Sequence, residues 1–297
     1  MINGVININK PEGWTSQDVC AKLRSRLHIK KIGHTGTLDP MATGVLPICI
    51  AKATRIIEYY DADYKSYRAT MKLGFTSDTL DITGEISETS DYADVSEKDV
   101  REAFKAYTGV IEQLPPKYSA LKVDGKRAYE LAREGKDFEL SKRKIEIVSN
   151  QIIDFNAEEG TIIFDVTCSK GTYIRTMIDD IGRTLDCGAV MTALERTRSG
   201  YFRIEDSVGI EELCAMDDSE IEKYVNPMDV TLINLGIIEL DDNRVTAFIN
   251  GNESSNRTFT VKDPSNFNDL YRVYSCERFL GVGSVEDGIL RPAKVLI

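Results

Sequence analysis

The chain has 297 residues and a mass of 33.2 kDa, a length that at about 150 residues per domain suggests two domains, or one large domain with a small appendage. It is 42% hydrophobic and 29% charged with a net charge of −11, which excludes a disordered or fibrous chain and argues against a generic nucleic-acid binder. Six cysteines without a C-x-x-C pair and only two histidines argue against a zinc site, a disulfide scaffold and a multi-histidine centre.

Gly4–Lys10 reads as a short strand ending at the turn Pro11-Glu12-Gly13. Thr15 or Ser16 caps a helix in which Val19, Leu23 and Leu27 recur at four-residue spacing. Gly33 to Gly44, with three glycines and Pro40, predicts a loop, and the apolar run Val45–Ile50 a buried strand. Tyr67, Ala69, Met71 and Leu73 alternate with Arg68, Thr70 and Lys72, which places Tyr67 on the apolar face of a half-buried strand. The acidic stretch Asp78 to Asp94 predicts a solvated loop, and Ser96 with Asp99 a capping box for a helix through Tyr107, closed by Gly109. Residues 113–144 are rich in Lys and Arg, with Pro115-Pro116, a turn at Asp124-Gly125 and a short helix from Lys126 to Glu134 stopped by Gly135. Thr161–Cys168 is a strand that leads through Ser169–Thr172 into a helix with Ile174, Met177, Ile178, Ile181 and Leu185 on one face. Ser207–Tyr224 is acidic and mostly helical. Asn226-Pro227 marks a boundary, after which one helix (Asp242–Asn250) and several short strands make a small β-rich module.

No apolar run approaches the roughly 18 residues needed to span a bilayer, and Met1-Ile2-Asn3-Gly4 lacks the charged start of a signal peptide. With six thiols and no disulfide pattern, a cytoplasmic protein is expected. Charge is unevenly distributed. Residues 1–60 carry eight basic against four acidic side chains and 111–150 nine against seven, whereas 151–297 carry 14 against 26. A phosphate-rich partner responds to the local surface, because screening confines each field to about 10 Å.

Asp39 is the one acidic or basic residue between Ile32 and Ala51, set between Leu38 and Pro40-Met41. Such a carboxylate is either a turn aspartate satisfying local amides or a buried acid with a partner, since a buried lone charge is costly. Arg175 falls in the first turn of its helix, where the macrodipole disfavours a cation by about 0.3–1 kcal/mol; an anion opposite it would explain the position, and so would simple solvent exposure. Tyr67 and Tyr173 suit a core as well as they suit stacking on a planar ligand. His34, between two glycines, is equally open.

Taken in order, these residues carry a resemblance. Gly33-His34-Thr35-Gly36-Thr37-Leu38-Asp39-Pro40-Met41-Ala42-Thr43-Gly44-Val45-Leu46-Pro47 resembles the catalytic loop of the tRNA pseudouridine synthase B family. Gly4-Val5, Asn9-Lys10-Pro11, Lys65-Ser66-Tyr67-Arg68, Tyr118 to Tyr129 and Cys168 to Arg175 match further blocks in the same order. The resemblance implies an α+β pseudouridine synthase fold, with a central mixed, mostly antiparallel sheet flanked by helices and loops. It implies a catalytic domain over residues 1–232, in which 113–144 form a basic RNA-binding arm, and a PUA-like RNA-binding domain over 233–297.

It also implies isomerisation of the uridine at position 55 of the tRNA T-loop. Asp39 is the implied catalytic aspartate, acting at the sugar while uracil leaves C1′ through N1, rotates and returns through C5. Arg175 is its implied ion partner, and Tyr67 is implied to stack on the base and take the C5 proton. Lys10, Tyr173 and, by a looser match over Ala193–Arg196, Leu194 would line the pocket, and His34 would fill the space vacated by the flipped base. The expected partner is the tRNA T-stem-loop, with no cofactor, no metal, no membrane and no obligatory protein partner, for a monomer. Three rivals stand beside this reading: a guide-dependent H/ACA-type synthase, for which no basic tail is present, a tRNA-folding RNA-binding protein with incidental catalysis, and a glycoside or nucleoside hydrolase, which needs a second carboxylate that the loop does not supply.

Overall fold

In the computed structural model, which describes residues 2–62, 64–123, 125–265 and 267–297, the first strand runs over Gly4–Lys10 and pairs antiparallel with Thr43–Ile50, Val5 opposite Cys49 and Lys10 opposite Gly44. Both strands are buried along nearly their whole length, as the unbroken apolar run Val45–Ile50 requires of the second. The chain divides into two compact units. One comprises the chain up to Pro40, the 44–62 stretch and everything from Arg198 onward; the other comprises 41–43 and 64–197.

In the first unit, Thr15 caps the helix Ser16–Leu27 with a full capping box to Asp18, and Val19 and Leu23 face the core. Ile32–His34 pairs with Ile48–Ile50, so the expected loop begins only after His34. Val208–Gly209 adds parallel to the first strand, and Val225–Asn226 adds antiparallel to it. The acidic 207–224 stretch is thus a short strand followed by two short helices, Ile210–Ala215 and Asp218–Glu222. Beyond Leu235 a six-stranded sheet runs in the order 254–255, 289–295, 278–286, 270–275, 236–240, 259–263. The short helix Val245–Ile249 packs on it around Phe248. Val5, Val45, Ile56 and Phe202 share one apolar cluster with Leu232, Leu235, Val282 and Leu296, so the C-terminal sheet is tied into the same core as the first strand.

In the second unit the strands lie in the order 189–199, 65–73, 161–168, 143–156, 109–113, and from 65–73 to 109–113 each neighbouring pair is antiparallel. Strands Lys65–Leu73 and Thr161–Cys168 alternate buried and open positions, the period-2 pattern read from the sequence for the first of the two. The helix Ile174–Thr184 buries Ile174, Met177, Ile178 and Ile181. Gly182 lets it approach the start of strand Ala189–Ser199, because a Cβ there would sit 2.2 Å from the Ala189 amide nitrogen. Ser96 and Asp99 form the expected capping box for Glu97–Ala106. In the 113–144 segment, Lys122–Val123 pairs with Lys126–Arg127 and leads into the helix Ala128–Arg133; Asp124, half of the expected turn, lies outside the described residues.

The acidic 78–94 stretch departs from the expected solvated loop. Phe75–Ser77 and Ile86–Glu88 form a hairpin, and between them residues 80–82 run beside Met191, the Ile82 amide donating to the Met191 carbonyl at 3.0 Å and the Met191 amide to Leu80 at 3.2 Å. That pairing carries Asp81 inward, to 3% exposure.

Candidate active site

The Asp39 loop is held on both sides of the aspartate. Ser16, buried at the start of its helix, accepts from the Leu38 amide at 2.9 Å and donates to the Leu38 carbonyl at 3.3 Å. On the other side the Pro40 carbonyl accepts from the Gly13 amide at 2.8 Å and from Lys10 Nζ at 3.2 Å. Lys10 is wholly buried, and its ammonium also donates to the carbonyls of Pro11 at 2.9 Å and Trp14 at 2.6 Å. A charged donor shared among carbonyls makes stronger bonds than a neutral one, so Lys10 knits the Pro11–Trp14 turn to the loop. Asp39 itself is half-buried between buried Leu38 and Met41. His34 lies at the loop's entry, its Nε2 3.3 Å from the Gln17 side-chain amide.

Four further residues belong to the second unit. Arg175 is the second residue of its helix and is 5% exposed. Its guanidinium donates to the carbonyls of Thr79 and Tyr118, each at 3.1 Å, and lies 3.5 Å from Asp81 Oδ2. Asp81 Oδ1 in turn accepts from the Thr79 hydroxyl at 2.8 Å, the Thr83 amide at 2.9 Å and the Thr83 hydroxyl. An anion therefore accompanies the cation that the helix dipole disfavours. Tyr173, preceding that helix, is clamped through its backbone by buried Gln113, which accepts from its amide at 2.8 Å and donates to its carbonyl at 3.0 Å. Tyr67 is buried at 8% exposure on its strand, facing Val166 across the ladder. Leu194 and Arg196 are buried on the same side of strand Ala189–Ser199, and the Arg196 guanidinium hydrogen-bonds the Tyr67 phenol. Burial pulls the Arg196 guanidinium below its ordinary range, and Tyr67 opposes that pull.

Residues 24–174 match the N-terminal domain of TruB family pseudouridylate synthases, 175–233 the C-terminal domain of tRNA pseudouridylate synthase B, and 237–296 the C-terminal domain of pseudouridine synthase II TruB. The chain belongs to the TruB family. It is 43% identical to the tRNA pseudouridine synthase B of Clostridium kluyveri over 300 residues, covering 100% of each chain. With the tRNA pseudouridine synthase B of Clostridioides difficile it shares 41% identity over 287 residues, 96% of this chain and 95% of that one. Among solved structures it superposes on a chain from a crystal structure of a Cbf5–Nop10–Gar1 complex with a TM-score of 0.79 at 26% identity, covering 99% of this chain and 85% of that chain. The α+β architecture, with its mixed sheet and C-terminal β-rich region, is the pseudouridine synthase fold.

Within this TruB-family chain, sequence reasoning overlooked Ser16 as a loop clasp, Gln113, Asp81 and Arg196. Asp81 did carry a signal: in Thr79-Leu80-Asp81-Ile82-Thr83 it alternates with apolar residues, and the two threonines are hydroxyl donors within reach. Gln113 carried none, because its partner is backbone 60 residues away.

Proposed function

We propose that this protein isomerises uridine to pseudouridine in tRNA, at position 55 of the T-loop, with Asp39 as the catalytic carboxylate. The observation that carries the reading is the double fastening of the Asp39 loop, by Ser16 on one side and by Gly13 and Lys10 on the other. Such a fastening fixes a carboxylate within the tolerance that reaction at a single carbon demands, and it occurs in a chain similar throughout to proteins named tRNA pseudouridine synthase B.

In this reading the target base is extruded from the T-loop before chemistry, because a stacked uracil hides its glycosidic bond. Asp39 works at the sugar, by bonding to C1′ or by taking the 2′ proton as the base leaves; both routes need it ionised, and Arg175 supplies the counter-charge. Tyr67 stacks on the uracil and takes the C5 proton once the new C–C bond has formed. Lys10 sets the loop, Tyr173 and Leu194 bound the pocket, and His34 fills the gap in the RNA. The 113–144 arm, with its exposed Lys122, Lys126 and Arg127, lies on phosphates. The C-terminal sheet serves as a PUA-like RNA-binding domain over 233–297, and the protein acts in the cytoplasm as a monomer without an obligatory protein partner. No helix among the described residues is long and apolar enough to cross a membrane.

A guide-dependent role is less well supported, since likeness to the Cbf5 chain stops at 26% identity whereas the tRNA pseudouridine synthase B relatives reach 43%. The test is direct. Purified protein incubated with an unmodified tRNA transcript should convert one uridine, read by nuclease digestion and chromatography; conversion only when a guide RNA and partner proteins are added would overturn the reading.

A further inference from the structure

Arg196 is 1% exposed and is the bulkiest of the fully buried side chains among the described residues. Taking a guanidinium out of water is costly, whereas an apolar side chain of similar size carries no such penalty. Its strand, Ala189–Ser199, lies next to Lys65–Leu73 in the sheet. From there its guanidinium donates a hydrogen bond to the Tyr67 phenol oxygen, and its charge acts on that oxygen through an interior that screens poorly. Tyr67 is itself buried, with Leu194 two residues before Arg196 on the same strand face. A buried cation that donates to a tyrosine oxygen favours the negatively charged form of that oxygen.

We propose that Arg196 is a positioning residue for Tyr67, fixing the direction of the phenol oxygen and balancing the charge it acquires while it exchanges protons with the uracil ring. When C5 has bonded to C1′, the ring carries hydrogen on C5 and an unprotonated N1 joined to C6 by a double bond. The phenol O–H bond breaks and its proton passes to N1, which leaves a phenolate facing the guanidinium. The phenolate then takes the C5 proton. The C–H electron pair becomes the C5–C6 double bond, and the C6–N1 π pair returns to N1. The phenol is restored and one proton has moved within the uracil, so no outside acid or base is consumed. N1 and C5 flank the same carbon, so one oxygen above C6 serves both.

This inference rests on the assignment of proton transfer to Tyr67, and the experiment separates the two. Single-turnover rates and tRNA affinity would be measured for Arg196→Gln and Arg196→Lys, each in the native background and in Tyr67→Phe, with thermal midpoints recorded for all. Loss of the charge in Arg196→Gln should slow turnover about 100-fold, the scale of one preorganised donor, with tRNA affinity changed less than about threefold. Arg196→Lys, which keeps the charge, should recover about tenfold of that loss. In the Tyr67→Phe background the Arg196 substitutions should cost less than about threefold, because there is no phenol left to serve. Equal losses in both backgrounds, or a loss confined to tRNA affinity, would overturn the role of Arg196. Should Arg196→Gln not fold, Arg196→Lys in the two backgrounds gives the same comparison. A Tyr67→Phe protein with full activity would instead remove the assignment of Tyr67 itself.

Discussion

Asp81→Asn removes a buried charge from the second unit while keeping the shape of the side chain, and its consequences follow from the geometry. Asp81 Oδ2 and Arg175 Nη1 are 3.5 Å apart with both side chains buried. At an effective dielectric constant of about 20, unit charges at that separation attract by about 5 kcal/mol. Asparagine retains an oxygen for Thr79 and Thr83, and the Thr79 and Tyr118 carbonyls still hold the guanidinium. The net loss should therefore be about 2–3 kcal/mol, below the full cost of breaking a buried pair. Thermal unfolding should shift down by about 3–5 °C in a chain of this size. If Arg175 serves the catalytic carboxylate, its loosening should slow single-turnover pseudouridine formation by about 30–100-fold, which is about 2–2.7 kcal/mol of barrier. The assay is calorimetry beside quench-flow turnover on a tRNA transcript. Wild-type values for both midpoint and rate would refute the idea that this pair organises the site.

Two further outcomes follow. Ser16→Ala deletes both bonds to the Leu38 backbone and should cost about 1–3 kcal/mol of stability, the desolvation penalty of two buried groups left without that partner, with a larger fall in kcat than in tRNA affinity; an unchanged kcat would mean the clasp is dispensable for the Asp39 loop. Burial lifts the Cys20 and Cys168 thiols to about 11 and raises Cys49 further still. Because the thiolate is the reactive form and is present below its pKa only as a minor fraction, iodoacetamide at pH 8 should label exposed Cys276 and leave these three unmodified until the protein is unfolded. Mass spectrometry showing labelling of Cys49 in native protein would contradict the buried-core assignment.

Much of the architecture could be read from the chain because local signals and tertiary demands coincide. The helix cap at Thr15, one of the two residues read for it, the capping box at Ser96, the alternation through Tyr67 and the helix after Tyr173 each appear where their pattern places them. Asp81 escaped because the 78–94 stretch around it is acidic and outweighs the flanking Leu80 and Ile82, whereas its burial is created by a strand more than 100 residues later, at Met191. Arg196 escaped for a similar reason. An arginine in the polar stretch Glu195-Arg196-Thr197-Arg198 reads as solvent-facing, and only the adjacent strand brings Tyr67 to it. The reach of the C-terminal sheet was hidden too, since the apolar cluster joining Val5 to Leu296 pairs residues from opposite ends of the chain.

The most direct trial of Asp39 as the catalytic carboxylate is tritium release from tRNA carrying C5-tritiated uridine, compared between the native protein and Asp39→Asn. The native protein should release the label from one uridine per tRNA, and the variant should release none while binding the same tRNA with similar affinity. Release by Asp39→Asn at the native rate would contradict the assignment.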